Sequence, residues 1–259
     1  MKAIILAAGK GKRLLPLTKD NPKCMVKLFN KTILEHQIEI FRNCGINEII
    51  VITGYLSERI NICNLKYYQN KKYGSTNMLE TLFCAKKELH DDIIISYGDI
   101  IFEKKILEQL LNSKDDISII VDKNWEEYWK IRSTNPLEDT ESLKLDKKGY
   151  ITSIGQKVSN LKEVEGQYIG LMKFQNKGPK IICDFYEKCK KESTLSNPLH
   201  ATLPFEKSFM TDFLYGLIKE NVKLKAIFIH NGWLELDTLN DYNVYNKLYQ
   251  KKLLHFYKP

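Results

Sequence analysis

The chain has 259 residues, 43% hydrophobic and 28% charged, with a formal net charge of +8. This balance excludes a disordered or fibrous chain and is enough for one large α/β domain or two small ones. The lysines are scattered, with no basic helix and no basic strip interleaved with aromatics, so anionic small molecules are expected as partners and nucleic acid is not.

Ala3, Ile4, Ile5 and Leu6 form an apolar run that predicts a buried strand over 4–6. A loop follows with Gly9, Gly11 and Arg13, then Pro22 and Lys23. A helix is expected over 32–44, closed by Gly45, and a strand over 48–53 ending at Gly54. A short strand over 66–69 precedes a helix over 76–89, with Met78, Leu82 and Ala85 on one face. The next strand, 93–97, ends at Gly98-Asp99, and a helix over 104–111 leads to a strand over 117–121. Alternation of this kind implies a Rossmann-like, doubly wound, mostly parallel sheet with helices on both faces. The pattern then changes. Residues 125–155 read as strands and turns, followed by a strand over 167–174, helices over 180–192 and 209–220, a strand over 223–229 and a last helix over 239–250. No internal repeat, low-complexity segment or Pro/Gly linker divides the chain, so one domain over 1–259 is expected.

The six cysteines (24, 44, 63, 84, 183 and 189) form no C-x-x-C pair, which reads as free thiols in a reducing cytoplasm. Opening directly on a core strand, the chain is expected to carry no signal peptide. No apolar run approaches the ~18 residues of a membrane span, so no membrane partner is expected.

The loop after the first strand carries the chemistry. Glycines bring main-chain N–H groups close to a ligand, and Arg13 and Lys23 add positive charge there. That combination suits a nucleoside triphosphate. A P-loop is absent, and Leu14 breaks the dinucleotide fingerprint, which disfavours a dehydrogenase. The bland alternative is an ordinary turn with a solvated basic loop. The run Leu6-Ala7-Ala8-Gly9-x-Gly11-x-Arg13-Leu14, followed by Pro22-Lys23, resembles the signature of the sugar-phosphate nucleotidylyltransferase superfamily.

The resemblance implies a site assembled from distant segments. Family members carry a metal aspartate in a G-D pair after a strand and another in a late W-x-x-x-D-T segment. Tyr97-Gly98-Asp99 and Trp233-Leu234-Glu235-Leu236-Asp237-Thr238 match, which places Mg²⁺ on Asp99 and Asp237. Taken alone, Asp99 fits a turn or N-cap, and Asp237 fits the N-cap of the last helix. Arg13 and Lys23 are the expected catalytic cations on the triphosphate. Leu6, Ala8, Gly9, Gly11, Ser75, Thr76, Asn77 and Gly98 are the expected nucleotide-binding residues. Lys157, in Ile154-Gly155-Gln156-Lys157, falls where relatives place a lysine on the acceptor phosphate, although its E-K-P setting is missing; a solvated surface lysine is the alternative.

The segment Ser75-Thr76-Asn77-Met78 replaces the Gln-Gly-Thr-Ala type of hexose enzymes. Trp129-x-x-Arg132, Glu138-Asp139-x-Glu141, Gly166 to Gly170 and Met210 to Phe213 point with it to the cytidylyltransferase branch, which handles phosphocholine, aminoalkylphosphonates and the phosphoglutamine of capsule decoration. The resemblance therefore implies CTP and a small phosphorylated acceptor held by Lys157, Trp129, Tyr168 and Asp212. Trp125, Glu138, Asp139 and Trp233 are further candidates for a cationic head group. The nucleotide-binding part is expected over about 1–122, an embedded acceptor-binding β section over about 123–235 and a C-terminal helix over about 238–252. A hexose 1-phosphate uridylyl- or thymidylyltransferase remains the alternative, and a nucleotide-binding regulator without turnover is the reading from a different class. A homodimer is compatible with the chain, and its oligomeric state is left open.

Overall fold

The structure, a computed structural model, describes residues 1–132, 140–161 and 164–259. In chain order the elements are β1 (Lys2–Ala7), β2 (Lys27–Leu28), β3 (Lys31–Thr32), α1 (Ile33–Asn43), β4 (Ile49–Thr53), β5 (Lys66–Gln69), α2 (Met78–Phe83), β6 (Ile93–Tyr97), β7 (Ile100–Phe102), α3 (Lys104–Asn112), β8 (Ile117–Asp122) and α4 (Trp125–Arg132). Then come β9 (Glu141–Leu145), β10 (Ile151–Lys157), β11 (Gln167–Phe174), α5 (Gly178–Glu192), α6 (Met210–Lys219), β12 (Lys225–Ile229), β13 (Trp233–Glu235) and α7 (Leu239–Gln250).

The main sheet has seven strands in the order β12-β8-β11-β6-β1-β4-β5. All neighbours run parallel except β11, which is antiparallel to both β6 and β8. This is the mostly parallel, two-faced α/β architecture that the alternation implies. Residue parity divides the core. Ala3, Ile5 and Ala7 of β1 face one apolar layer with α1, α3, α4 and α7, while Ile4 and Leu6 face the other with α2, α5 and α6. All six residues of β1 are buried, as expected of a central strand covered on both sides.

Three expectations change. Residues 125–132 form a helix rather than strands, because Trp125, Tyr128 and Trp129 fall at helical spacing and all three are buried on one side. The helix expected over 76–89 stops at Phe83 and resumes as a single 3₁₀ turn. Glu88 is drawn under the sheet, where Tyr68 donates to it at 2.5 Å, Lys2 at 3.2 Å and Lys66 also donates. Finally, β11 lies in the middle of the main sheet rather than in a separate section. Outside the main sheet, β9 and β10 form a two-stranded ladder packed on α6, and β7–β13 and β2–β3 form two more such ladders.

Candidate active site

The site forms at the carboxyl ends of β1 and β6, where open α/β sheets bind ligands. Gly11 sits in the left-handed region at φ +59°, turning the chain into the 3₁₀ turn that carries Arg13. A Cβ on Gly98 would lie 2.5 Å from the Leu6 carbonyl oxygen, so only glycine lets the β6 exit press against β1. In the structure that contact is the hydrogen bond from Gly98 N–H to Leu6 C=O at 2.9 Å.

Asp99 leaves β6 and Asp237 follows β13. The short strand β13 separates Asp237 from β12 and is absent from the elements expected from the sequence. Antiparallel pairing of β13 with β7 aligns Trp233 with Phe102 and Glu235 with Ile100, and Leu236 N–H donates to Asp99 C=O at 2.9 Å. This ladder brings together two carboxylates that are distant in sequence.

Between them lies Lys23. Its Nζ is 2.7 Å from Asp99 Oδ2 and 2.7 Å from Asp237 Oδ1. Arg13 Nη2 is 2.5 Å from Asp237 Oδ2. Burial works against the Lys23 ammonium, but the charges of Asp99, Asp237 and Glu235 outweigh it and hold the group protonated. Burial likewise opposes the Asp237 anion, yet Lys23, Arg13 and Arg132 keep its carboxyl below the usual range. Glu235 is pushed up to about 7, first by burial, with Asp99 and Asp237 adding to it and Arg132 opposing.

Two cavities meet at this cluster. The first, about 440 Å³, is lined by Leu6 to Arg13, Lys23, Thr76, Asn77, Gly98, Asp99 and Asp237. The second, about 400 Å³, is lined by Trp129, Glu141, Lys157, Tyr168, Thr211 and Glu235 among others. Arg13, Met78, Tyr97 and Asp237 line both.

Most expected site residues therefore converge. Leu6, Ala8, Gly9, Gly11, Thr76, Asn77 and Gly98 line the first cavity, and Lys157, Trp129 and Tyr168 the second. Two stand apart. Ser75 turns away, its hydroxyl donating to Lys72 C=O at 3.1 Å. Asp212 caps α6 by accepting the Phe209 N–H at 2.8 Å, and its neighbour Thr211 lines the cavity instead. Trp125 is core, Trp233 lines the second cavity, and Glu138 and Asp139 lie outside the described residues. Cys24 lines the first cavity, but burial raises its thiol to about 12, which removes it as a nucleophile.

Among the described residues no group of three or more His, Cys, Asp or Glu side chains could hold a metal ion. Asp99 and Asp237 are two carboxylates, and Asp99 Oδ1 is buried without a hydrogen-bond partner. A hard cation that takes part of its oxygen shell from a substrate phosphate, as Mg²⁺ does, fits such a pair.

Comparisons with known proteins give the family of the chain. Residues 3–160 match the model of the MobA-like NTP transferase domain. The chain is 42% identical over 255 residues to a CTP:phosphoglutamine cytidylyltransferase from Campylobacter jejuni, covering 94% of this chain and 98% of that one. It is 39% identical over 117 residues to a choline-phosphate cytidylyltransferase from Streptococcus pneumoniae, covering 44% and 51% of the two chains. Among solved structures, a CTP:phosphocholine cytidylyltransferase from Streptococcus pneumoniae superposes with a TM-score of 0.74 over 96% of this chain and 98% of that one; at 22% identity the likeness is one of fold. From the glycine loop, the paired cavities and these matches, the chain belongs to the MobA-like NTP transferase family and is a nucleotidyltransferase.

Proposed function

We propose that the chain transfers CMP from CTP to L-glutamine phosphate, releasing pyrophosphate, in a cytoplasmic step that supplies an activated group for surface polysaccharide decoration. The observation that carries this reading is the pair of cavities joined at Arg13 and Asp237, in a chain similar almost end to end to a CTP:phosphoglutamine cytidylyltransferase. One cavity suits a triphosphate along the Gly9–Gly11 backbone. The other offers Lys157 for a phosphate, the carboxylate of Glu141 for an ammonium group, and the rings of Trp129 and Tyr168 as walls. Phosphocholine, the acceptor named for the second relative, is the other candidate.

The acceptor phosphate is already anionic at neutral pH, so attack of its oxygen on the α-phosphorus needs no general base. The α-phosphorus bond to the bridging oxygen of pyrophosphate breaks as the new one forms, and rate comes from alignment and charge neutralisation. Arg13 and Lys23, held on Asp99 and Asp237 in the structure, turn to the triphosphate oxygens when the nucleotide binds. Mg²⁺ on Asp99 and Asp237 would supply further neutralisation of the triphosphate. A binding-only regulator would have no use for a second cavity opening on the same carboxylate.

The test is pyrophosphate release with Mg²⁺ across CTP, UTP, dTTP and ATP, each with L-glutamine phosphate, phosphocholine, 2-aminoethylphosphonate and glucose 1-phosphate. Release with CTP and L-glutamine phosphate is expected. Release only with UTP or dTTP and glucose 1-phosphate would overturn the proposal.

A further inference from the structure

A buried guanidinium lies behind the site, outside both cavities. Arg132 ends α4 with its side chain 5% exposed. Its plane lies over the rings of Trp129 at 4.8 Å and Tyr128 at 5.4 Å. Nε donates to Asp241 Oδ1 at 3.2 Å and Nη2 to Asp241 Oδ2 at 3.3 Å, a two-pronged grip. Nη1 is 2.7 Å from Glu235 Oε2 but makes no aligned hydrogen bond there.

Asp241 is itself 1% exposed. Its Oδ2 accepts the N–H of Asp237 at 3.0 Å and of Thr238 at 2.8 Å, and its own N–H donates to Thr238 Oγ1 at 3.1 Å. The backbone of Asp237 is thus anchored on a carboxylate that Arg132 holds in place. Glu235, two residues before, is fixed from the same guanidinium and by Tyr128, whose hydroxyl accepts Glu235 N–H at 2.7 Å. Asn240 Nδ2 closes the loop by donating to Arg132 C=O at 2.9 Å. A helix cap alone needs only Thr238 and Asp241. The added guanidinium neutralises Asp241 where it would otherwise repel the Asp237 anion, and it sets the angle at which Asp237 enters the site.

We infer that Arg132 is a positioning residue for the Asp237 carboxylate, acting through Asp241, so that cation binding at Asp99 and Asp237 depends on a side chain that touches neither cation nor substrate. The inference rests on the metal-bearing role proposed above for Asp237. Groups that orient metal ligands in this way are worth about 10–100-fold in metal affinity.

The experiment titrates Mn²⁺, followed by electron paramagnetic resonance, into protein saturated with CTP, or with UTP where CTP does not bind. Wild type is compared with Arg132→Gln, Arg132→Lys and Asp241→Asn. Triphosphate binding without metal and the urea midpoint are measured on each. Arg132→Gln and Asp241→Asn should weaken Mn²⁺ binding by about tenfold or more, Arg132→Lys should fall between, and metal-free triphosphate binding should hold. Folded Arg132→Gln and Asp241→Asn with wild-type Mn²⁺ affinity would overturn the inference. So would a loss of metal-free triphosphate binding in step with the loss of Mn²⁺, which marks general loosening. Should Arg132→Gln fail to fold, the isosteric Asp241→Asn decides. Which triphosphate supports Mn²⁺ binding in the wild type bears on the proposed function, whereas the ratio of variant to wild type bears on Arg132.

Discussion

Replacing Lys23 by Met removes the ammonium between Asp99 and Asp237 while keeping an apolar stem of similar length. At 2.7 Å from each carboxylate, and taking an effective dielectric constant near 20, each pair carries about 6 kcal/mol of gross attraction. Most of that is offset by desolvation, but a surplus of only about 1.4 kcal/mol is a factor of ten in any cation that must compete for the site. Two effects of opposite sign follow. Turnover should fall by about 10²–10³, the usual cost of losing a fixed cation in a phosphoryl-transfer site. Binding of free Mn²⁺ without nucleotide should tighten by about tenfold or more, because the internal cation no longer occupies the pair. Steady-state pyrophosphate release reads the first and paramagnetic Mn²⁺ titration the second. Wild-type turnover in Lys23→Met, or free Mn²⁺ binding no tighter than in the wild type, would refute the reasoning.

Gly98→Ala puts a Cβ 2.5 Å from the Leu6 carbonyl and 3.0 Å from Ala7 Cα; both are backbone, so a loss of about 2–4 kcal/mol in urea unfolding is expected. Lys157→Ala should raise the acceptor KM by about tenfold and leave CTP binding unchanged by calorimetry; an unchanged KM would remove Lys157 from the acceptor site. Glu88 is held down to about 2 by Lys66 and Tyr68 first, with Lys2 adding and burial opposing. Its folded value lies below the unfolded one, so its contribution is full above pH 4.5 and lost as pH falls towards 2. Lys66 is half exposed, so solvent screening limits that contribution to about 1 kcal/mol. Glu88→Gln should show correspondingly less acid dependence of the urea midpoint, and an equal dependence would contradict the assignment.

The sheet was legible because central parallel strands read as unbroken apolar runs: Ile93 to Ile95 and Ile49 to Ile52 need no partner to be recognised. The helix α1 was legible through its stop at Gly45, and the structure adds a capping box of Thr32 and Glu35 at its start. The helix α4 was missed although its period is present, since Trp and Tyr also favour strands and its burial depends on Trp233 and Tyr245 far along the chain. The β7–β13 ladder was missed because three-residue strands carry no period. With it went the reason that Asp99 and Asp237 meet. The motif marked Lys23 as a cation for phosphates, but its resting partners are set by that hidden ladder. Asp212 was read as an acceptor contact because it falls in a matching segment; its place at the third position of α6, able to accept the Phe209 N–H, was the signal for a cap. In the sequence Arg132 is only the end of the Trp129-x-x-Arg132 pattern, and its grip on Asp241 arises only where α4 and α7 pack together.

The most direct test of the account is a ³¹P NMR time course of CTP, L-glutamine phosphate and Mg²⁺ with the protein. The account predicts that the triphosphate signals decline while two mutually coupled doublets of a new diphosphate grow in step with pyrophosphate, one for one. Pyrophosphate appearing with CMP alone, or triphosphate signals that persist unchanged beside the acceptor, would contradict it.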